Sequence, residues 1–166
     1  MSTVQTEQVP ERTQQAIGAF FIPLPQLEQY WAQIDRILEQ AESWTQIISS
    51  SEIREQLDTS RMLAWGMLDN AGQFGLAIAR LNDCVRGTIC TAWVILPMAA
   101  DADDDDDESV CALLHEVETF ARFRRAAVLE VLTAPWSAIK ARDNLKCAKI
   151  TGAILEVDLR VPRRPS

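Results

Sequence analysis

The stretch Gly87-Thr-Ile-Cys-Thr-Ala-Trp-Val-Ile-Leu96 runs into Pro97-Met-Ala-Ala-Asp-Ala-Asp-Asp-Asp-Asp-Asp-Glu108, and then into Ser109-Val-Cys-Ala-Leu-Leu-His-Glu-Val-Glu-Thr-Phe-Ala121. The first piece is nearly continuous in apolar or β-branched residues, as expected of a strand covered on both faces. The third places Val110, Leu113, Leu114, Val117, Phe120 and Ala121 on one stripe of a helix. Between them lies an acidic run, residues 101–108, which reads as a loop, with the helix opening at Ser109. A helix N-terminus attracts anions through its free N–H groups and its dipole. Seven carboxylates at such a terminus repel any further anion.

The elements on either side extend this pattern. Ile17–Ile22 is short and β-prone, and Pro23 and Pro25 end it, with Pro25 suited to the first turn of a helix. Leu27, Trp31, Ile34, Leu38 and Ala41 recur at helical spacing over about four turns. Ser49 and Glu52 have the spacing of a capping box at the start of a second helix, which ends at Asp58-Thr-Ser60. Strands are expected at Met62–Leu68, ending in the turn Asp69-Asn-Ala-Gly72, and at Phe74–Leu81, ending at Asn82-Asp83. After the acidic run and its helix, Ala127–Leu132 is a strand. Thr133-Ala-Pro-Trp136 opens another helix running to about Leu145. Leu155, Val157, Leu159 and Val161 then alternate with charged residues as a half-buried strand. The order β-α-α-β-β-β-α-β-α-β predicts an α/β (or α+β) architecture: a mixed, mostly antiparallel sheet flanked by helices. Residues 1–15 and 162–166 read as tails around a single domain, 16–161.

Composition bounds the function. With 166 residues and 48% hydrophobic content, the chain suits one domain with a sizeable core. Seven of its 24 acidic residues lie in 101–108; without them the net charge of −8 becomes −1. The chain is therefore neither a uniformly acidic solvating protein nor a basic nucleic-acid binder. Cys84, Cys90, Cys111 and Cys147 form no CxxC pair, consistent with free thiols in a reducing compartment. The start of the chain shows no secretory signal, and no apolar run approaches the length of a membrane span.

The order of elements resembles the GNAT acetyltransferase fold. It is more closely similar to the small acetyltransferase-like internal virion proteins of short-tailed, T7-like phages. The resemblance spans about Leu24 to Leu159. It rests on Tyr30-Trp31, Glu52-Ile53 and Leu57, Leu63-Ala-Trp65, Leu68-Asp-Asn-Ala-Gly72, Cys90-Thr-Ala-Trp93, Glu116-Val-Glu-Thr-Phe-Ala-Arg122 and Pro135-Trp136. GNAT enzymes hold acetyl-CoA through a glycine-containing loop between the fourth strand and the next helix. Here that position holds Leu96-Pro-Met-Ala-Ala-Asp101 and the acidic run, with no glycine from Ala92 to Glu130. The family's usual general acid is a Tyr near the last helix, whereas the one tyrosine here is Tyr30. Its general base is often a Glu on the fourth strand, and Trp93-Val-Ile-Leu96 offers none.

The resemblance therefore implies a non-catalytic, acetyltransferase-like virion or assembly protein acting through protein–protein contacts, with no cofactor and no catalytic residues. It would reside in the virion interior or host cytoplasm, with other virion proteins as partners. The alternative is an active N-acetyltransferase acting on an amine or a protein N-terminus. In that case Val94, Ile95, Leu96 and Ser109 would hold acetyl-CoA. The partner-binding candidates are Asp103, Asp104, Asp105, Asp106 and Asp107, together with Arg122 and Arg125.

Other candidates have simpler explanations. Cys111 and His115 share a helical face but lack the further ligands of a structural zinc site, and no metal is expected. The Asp run lacks the alternating ligands and mid-loop glycine of an EF-hand. Arg122-Phe-Arg-Arg125 is read first as cations complementing a helix C-terminus, and second as part of a basic face with Arg160, Arg163 and Arg164. Trp31, Trp65, Trp93 and Trp136 fall at core positions, and Trp44 at an exposed one.

Overall fold

The structure, a computed structural model, describes residues 18–45, 49–68, 72–85, 87–96, 106–133, 148–151 and 154–160, with the backbone alone at 42–45, 106–110, 148–151 and 154–158. The elements in chain order are β1 (Ala19–Ile22), a 3₁₀ turn (Leu24–Gln26), α1 (Leu27–Thr45), α2 (Ser50–Asp58), β2 (Leu63–Leu68), β3 (Phe74–Cys84), β4 (Gly87–Ile95), α3 (Asp106–Phe123), β5 (Val128–Leu132), β6 (Ala148–Thr151) and β7 (Ile154–Asp158). The strands form one sheet in the order β1-β2-β3-β4-β5-β7-β6. Every neighbouring pair is antiparallel except β4–β5. Few residues separate β2 from β3, and β3 from β4, in sequence. The parallel pair cannot be joined by a hairpin, and α3 lies between its two strands in sequence.

Strand periodicity divides the core between the two faces of the sheet. On β4, Cys90, Ala92 and Val94 pack with Leu113, Leu114, Val117 and Ala121 of α3. Trp93 and Ile95 pack instead with Ile34, Ile37 and Leu38 of α1 and Ile53 and Leu57 of α2. This double coverage is why Gly87–Ile95 reads as a continuous apolar run, as expected from the sequence. On β3 the α3 face is built from Ala77 and Ala79, small enough to admit a helix closely, and the other face from Leu76 and Ile78. The short edge strand β1 leaves Phe21 46% exposed beside Trp65.

The second helix starts as its sequence indicates. The Ser49 hydroxyl accepts from the Glu52 N–H at 3.4 Å, and the Glu52 carboxylate accepts from the Ser49 N–H at 3.0 Å. An ion pair from Arg54 to Glu28 ties α2 to α1, and the Arg54 guanidinium also lies 4.5 Å from the centre of the Trp31 ring.

Four expectations change. α3 begins at Asp106, so Asp106, Asp107 and Glu108 are helical and not part of a loop over 101–108, and Ser109 is the fourth helical residue. Carboxylates are favoured in a first helical turn, where the dipole is positive. β3 continues through Asn82 and Asp83 to Cys84, because Arg80–Cys84 pair in register with Gly87–Thr91. A strand absent from the sequence reading, β6, pairs with β7 at the far edge. β7 stops at Asp158, because Leu159 turns inward to a buried position and its N–H donates to the Ala127 carbonyl at 3.0 Å. The expected helix after Thr133, Trp136, the side chain of Trp44 and both tails lie outside the described residues. Of the expected turn 69–72, Gly72 is described and has a φ of 75°.

Gly66 on β2 lies under two rings. A Cβ there would approach Phe74 Cε2 to 2.8 Å and Phe20 Cζ to 3.0 Å. Gly66→Ala is therefore expected to destabilise the fold by about 1–3 kcal/mol through overpacking, although alanine has the better intrinsic strand behaviour. Urea unfolding of the two proteins measures the difference.

Candidate functional site

The β4–β5 ladder ends at Trp93↔Leu132, while β4 stays paired with β3 as far as Ile95. The last residues of β4 therefore extend beyond their parallel neighbour. Val94, Ile95 and Leu96 stand here, and all three are buried. Their side chains belong to the core, Val94 and Leu96 on the α3 side and Ile95 on the other, so a ligand at this point would meet backbone. Ser109 lies one turn inside α3. The N-terminal turn that precedes it is formed by Asp106, Asp107 and Glu108. Of the acidic partner candidates, Asp106 and Asp107 are thus at the start of a helix, and Asp103, Asp104 and Asp105 lie outside the described residues.

At the other end of α3, Arg122 is engaged within the fold. Its Nε donates to Glu118 at 2.9 Å and its Nη1 to the Leu159 carbonyl at 3.1 Å. Glu118 is a buried carboxylate, 3% exposed, and the pair ties α3 to the chain leaving β7. Arg125 is exposed and holds a left-handed backbone, φ 55°, just past the helix end. Arg124 lies over the Phe120 ring at 5.9 Å. The arginine cluster therefore divides into one internal tie and two outward cations.

The other sequence candidates are accounted for by packing. Tyr30 sits between Phe20 and Phe74, with ring centres 5.4 Å and 6.3 Å away. His115 is exposed, Cys111 is half-buried, and no group of His, Cys, Asp and Glu suited to a metal occurs among the described residues. Cys90 is buried in the α3-side core, and desolvation pushes its thiol up to about 12, which keeps it from acting as a nucleophile near neutrality.

The sequence reading missed one polar group. The Asn82 amide donates to the Thr91 hydroxyl at 3.3 Å, and that hydroxyl donates to the Glu130 carboxylate at 3.4 Å. Arg80 pairs with Thr91 in register, and Thr91 with Glu130. The signal in the sequence is that Arg80 ends the apolar run Phe74–Ala79 and Glu130 interrupts the otherwise apolar β5.

The sequence matches no protein-family model and no curated protein. Among solved structures, the fold is similar to an acetyltransferase of the GNAT family from Staphylococcus aureus, with TM-score 0.56 and 14% identity over 87% of this chain and 99% of that one. It is also similar to an aminoglycoside acetyltransferase in complex with coenzyme A and kanamycin, with TM-score 0.53 and 12% identity over 87% and 95% of the two chains. A predicted acetyltransferase with acetyl-CoA from Clostridium acetobutylicum gives TM-score 0.51 and 11% identity over 78% and 86%. At these identities the likeness is one of fold, and the fold is that of GNAT acetyltransferases, as the sequence pattern implies. None of these neighbours is a phage virion protein.

Two predictions follow from the buried groups. Arg122→Ala removes one partner of the buried Glu118 carboxylate and the tie to the Leu159 carbonyl, and is expected to cost about 1–3 kcal/mol, measured by chemical denaturation. For Cys90, the folded state holds the thiol proton more tightly than the unfolded chain, whose thiol titrates near 9.0. This contribution to stability is therefore constant below pH 9 and declines as pH rises toward about 12, by about 1.4 kcal/mol per pH unit. Cys90→Val should show a shallower alkaline loss of stability than the natural chain between pH 9 and 10.5.

Proposed function

We propose that this chain is an acetyltransferase-like protein that performs no acetyl transfer and acts through protein–protein contacts, as a virion or assembly protein of a short-tailed phage. The observation that carries the first part is the start of α3 inside the acidic run, with Asp106, Asp107 and Glu108 as its N-terminal turn. A phosphate at a helix N-terminus gains about 0.3–1 kcal/mol, and up to about 2, from the dipole. A carboxylate about 5 Å away opposes it by about 1 kcal/mol in water and about 3 kcal/mol at an effective dielectric of 20. Several carboxylates therefore outweigh the helix. The glycine-free approach to α3 adds to this, since close passage of backbone past a pyrophosphate favours glycine. The virion setting is supported by the sequence resemblance alone. The acidic run and the outward Arg124 and Arg125 would then be docking charges, which act mainly on partner selection and association rate.

A second reading, an active N-acetyltransferase acting on an amine or a protein N-terminus, is favoured by one observation. The parting of β4 from β5 after Trp93↔Leu132 leaves the backbone of Val94–Leu96 beyond the parallel ladder. Two similar structures hold coenzyme A or acetyl-CoA.

Titration calorimetry with acetyl-CoA at physiological salt separates the two. The expected result is no affinity in the micromolar range and no turnover with polyamine or peptide amines. Micromolar binding with turnover would establish the second reading. Mass spectrometry of purified particles should detect the chain, and its absence there would remove the virion role.

A further inference from the structure

On the sheet face that carries α1 and α2, a polar row crosses three strands, with Ile89 and Val128 continuing the apolar surface on its far side. Leu76 and Ile78 of β3 give way to Arg80 and Asn82, Ile95 and Trp93 of β4 to Thr91, and Leu132 of β5 to Glu130. The register sets Arg80, Thr91 and Glu130 abreast on three consecutive strands. At about 4.8 Å per strand, the backbones of Arg80 and Glu130 stand about 10 Å apart.

The two charges are not used on each other. The Arg80 guanidinium lies over the Trp93 ring, 5.3 Å from its centre, and its Nε is buried without a hydrogen-bond partner. Glu130 is half-buried and receives the Thr91 hydroxyl, whose oxygen is in turn held by Asn82. Thr91 itself is 8% exposed, so the relay is fixed in place. Among the described residues, no carboxylate pairs with Arg80 and no cation pairs with Glu130.

A buried donor without a partner weakens a fold. Stability alone would have placed apolar residues at both positions or paired the charges directly. We infer that the row Arg80–Thr91–Glu130 is a binding site for a small zwitterion of the free amino-acid class, with its carboxylate on Arg80 and its ammonium on Glu130. Arginine presents a planar fork matched to a carboxylate. Inorganic phosphate would satisfy Arg80 but be repelled by Glu130. A simple amine would satisfy Glu130 and leave the Arg80 donor bare. The site involves no residue of the β4–α3 junction, so it stands whether or not acetyl-CoA binds.

The test is titration calorimetry of the full chain with each of the common L-amino acids, and with butylamine, propionate and inorganic phosphate as single-charge probes. At least one amino acid is expected to bind with a Kd below about 1 mM, and each single-charge probe at least about tenfold more weakly. Glu130→Gln and Arg80→Met should each weaken that binding at least about tenfold, while the Tm of Arg80→Met stays level or rises because the orphaned donor is gone. Arg80→Lys keeps the charge but lacks the fork, and should lose binding as well, which covers the case where Arg80→Met does not fold. No binding of any amino acid at about 10 mM to the folded protein would overturn the site. Binding undiminished by Glu130→Gln and by the Arg80 variants would do the same.

Discussion

The parallel pairing of β4 with β5 is the constraint from which the remaining architecture follows. Two parallel neighbours need the chain to travel back the full length of the sheet before re-entering it. That return is α3, and it must lie on one face. Its apolar stripe then has to match the α3-side residues of β3, β4 and β5, which are small or slender: Ala77, Ala79, Cys90, Ala92, Val94, Leu129 and Val131. The opposite face, bearing Leu76, Ile78, Trp93 and Ile95, needs its own cover, which α1 and α2 supply. A sheet clad on both sides at its centre leaves little room for polar groups there, and the polar row at Arg80, Thr91 and Glu130 lies next along the strands from Ile78, Trp93 and Leu132.

Much of this was legible because each layer imposes its own period. The stripe Leu113, Leu114, Val117 and Ala121 could only be a helix against something, and the unbroken run Gly87–Leu96 could only be a strand between two layers. The capping box at Ser49 and Glu52 was legible because two side chains and two backbone donors satisfy one another locally. What escaped was set by partners distant in sequence. Asn82 and Asp83 look like a turn by composition, yet the ladder to Ile89 and Thr88 holds them in β3, with the Thr88 hydroxyl donating to Asp83 at 2.7 Å. β6 has four residues, and pairing with β7 defines it, since no pattern of its own marks it. The start of α3 lies three residues before Ser109 because aspartates, although they repel one another, suit the positive end of a helix.

The candidate site was legible in part for the same reason. The β4–α3 junction follows from element order, so Val94, Ile95 and Leu96 could be named from sequence. Their burial could not. Arg80, Thr91 and Glu130 lie on three strands, as many as 50 positions apart in the chain, and only the register brings them abreast. Charged residues inside apolar strands are the trace such groups leave in a sequence.

The edge strand β1 has a consequence of a different kind. An outer strand offers every second residue's N–H and C=O to any passing chain, and such edges seed runaway stacking between molecules. β1 has four residues and is followed at once by Pro23, which has no N–H to give. A visiting strand would find only about two residues to grip before the ladder fails. Phe21 can therefore remain exposed beside Trp65 with little risk of polymerisation, because brevity protects that edge.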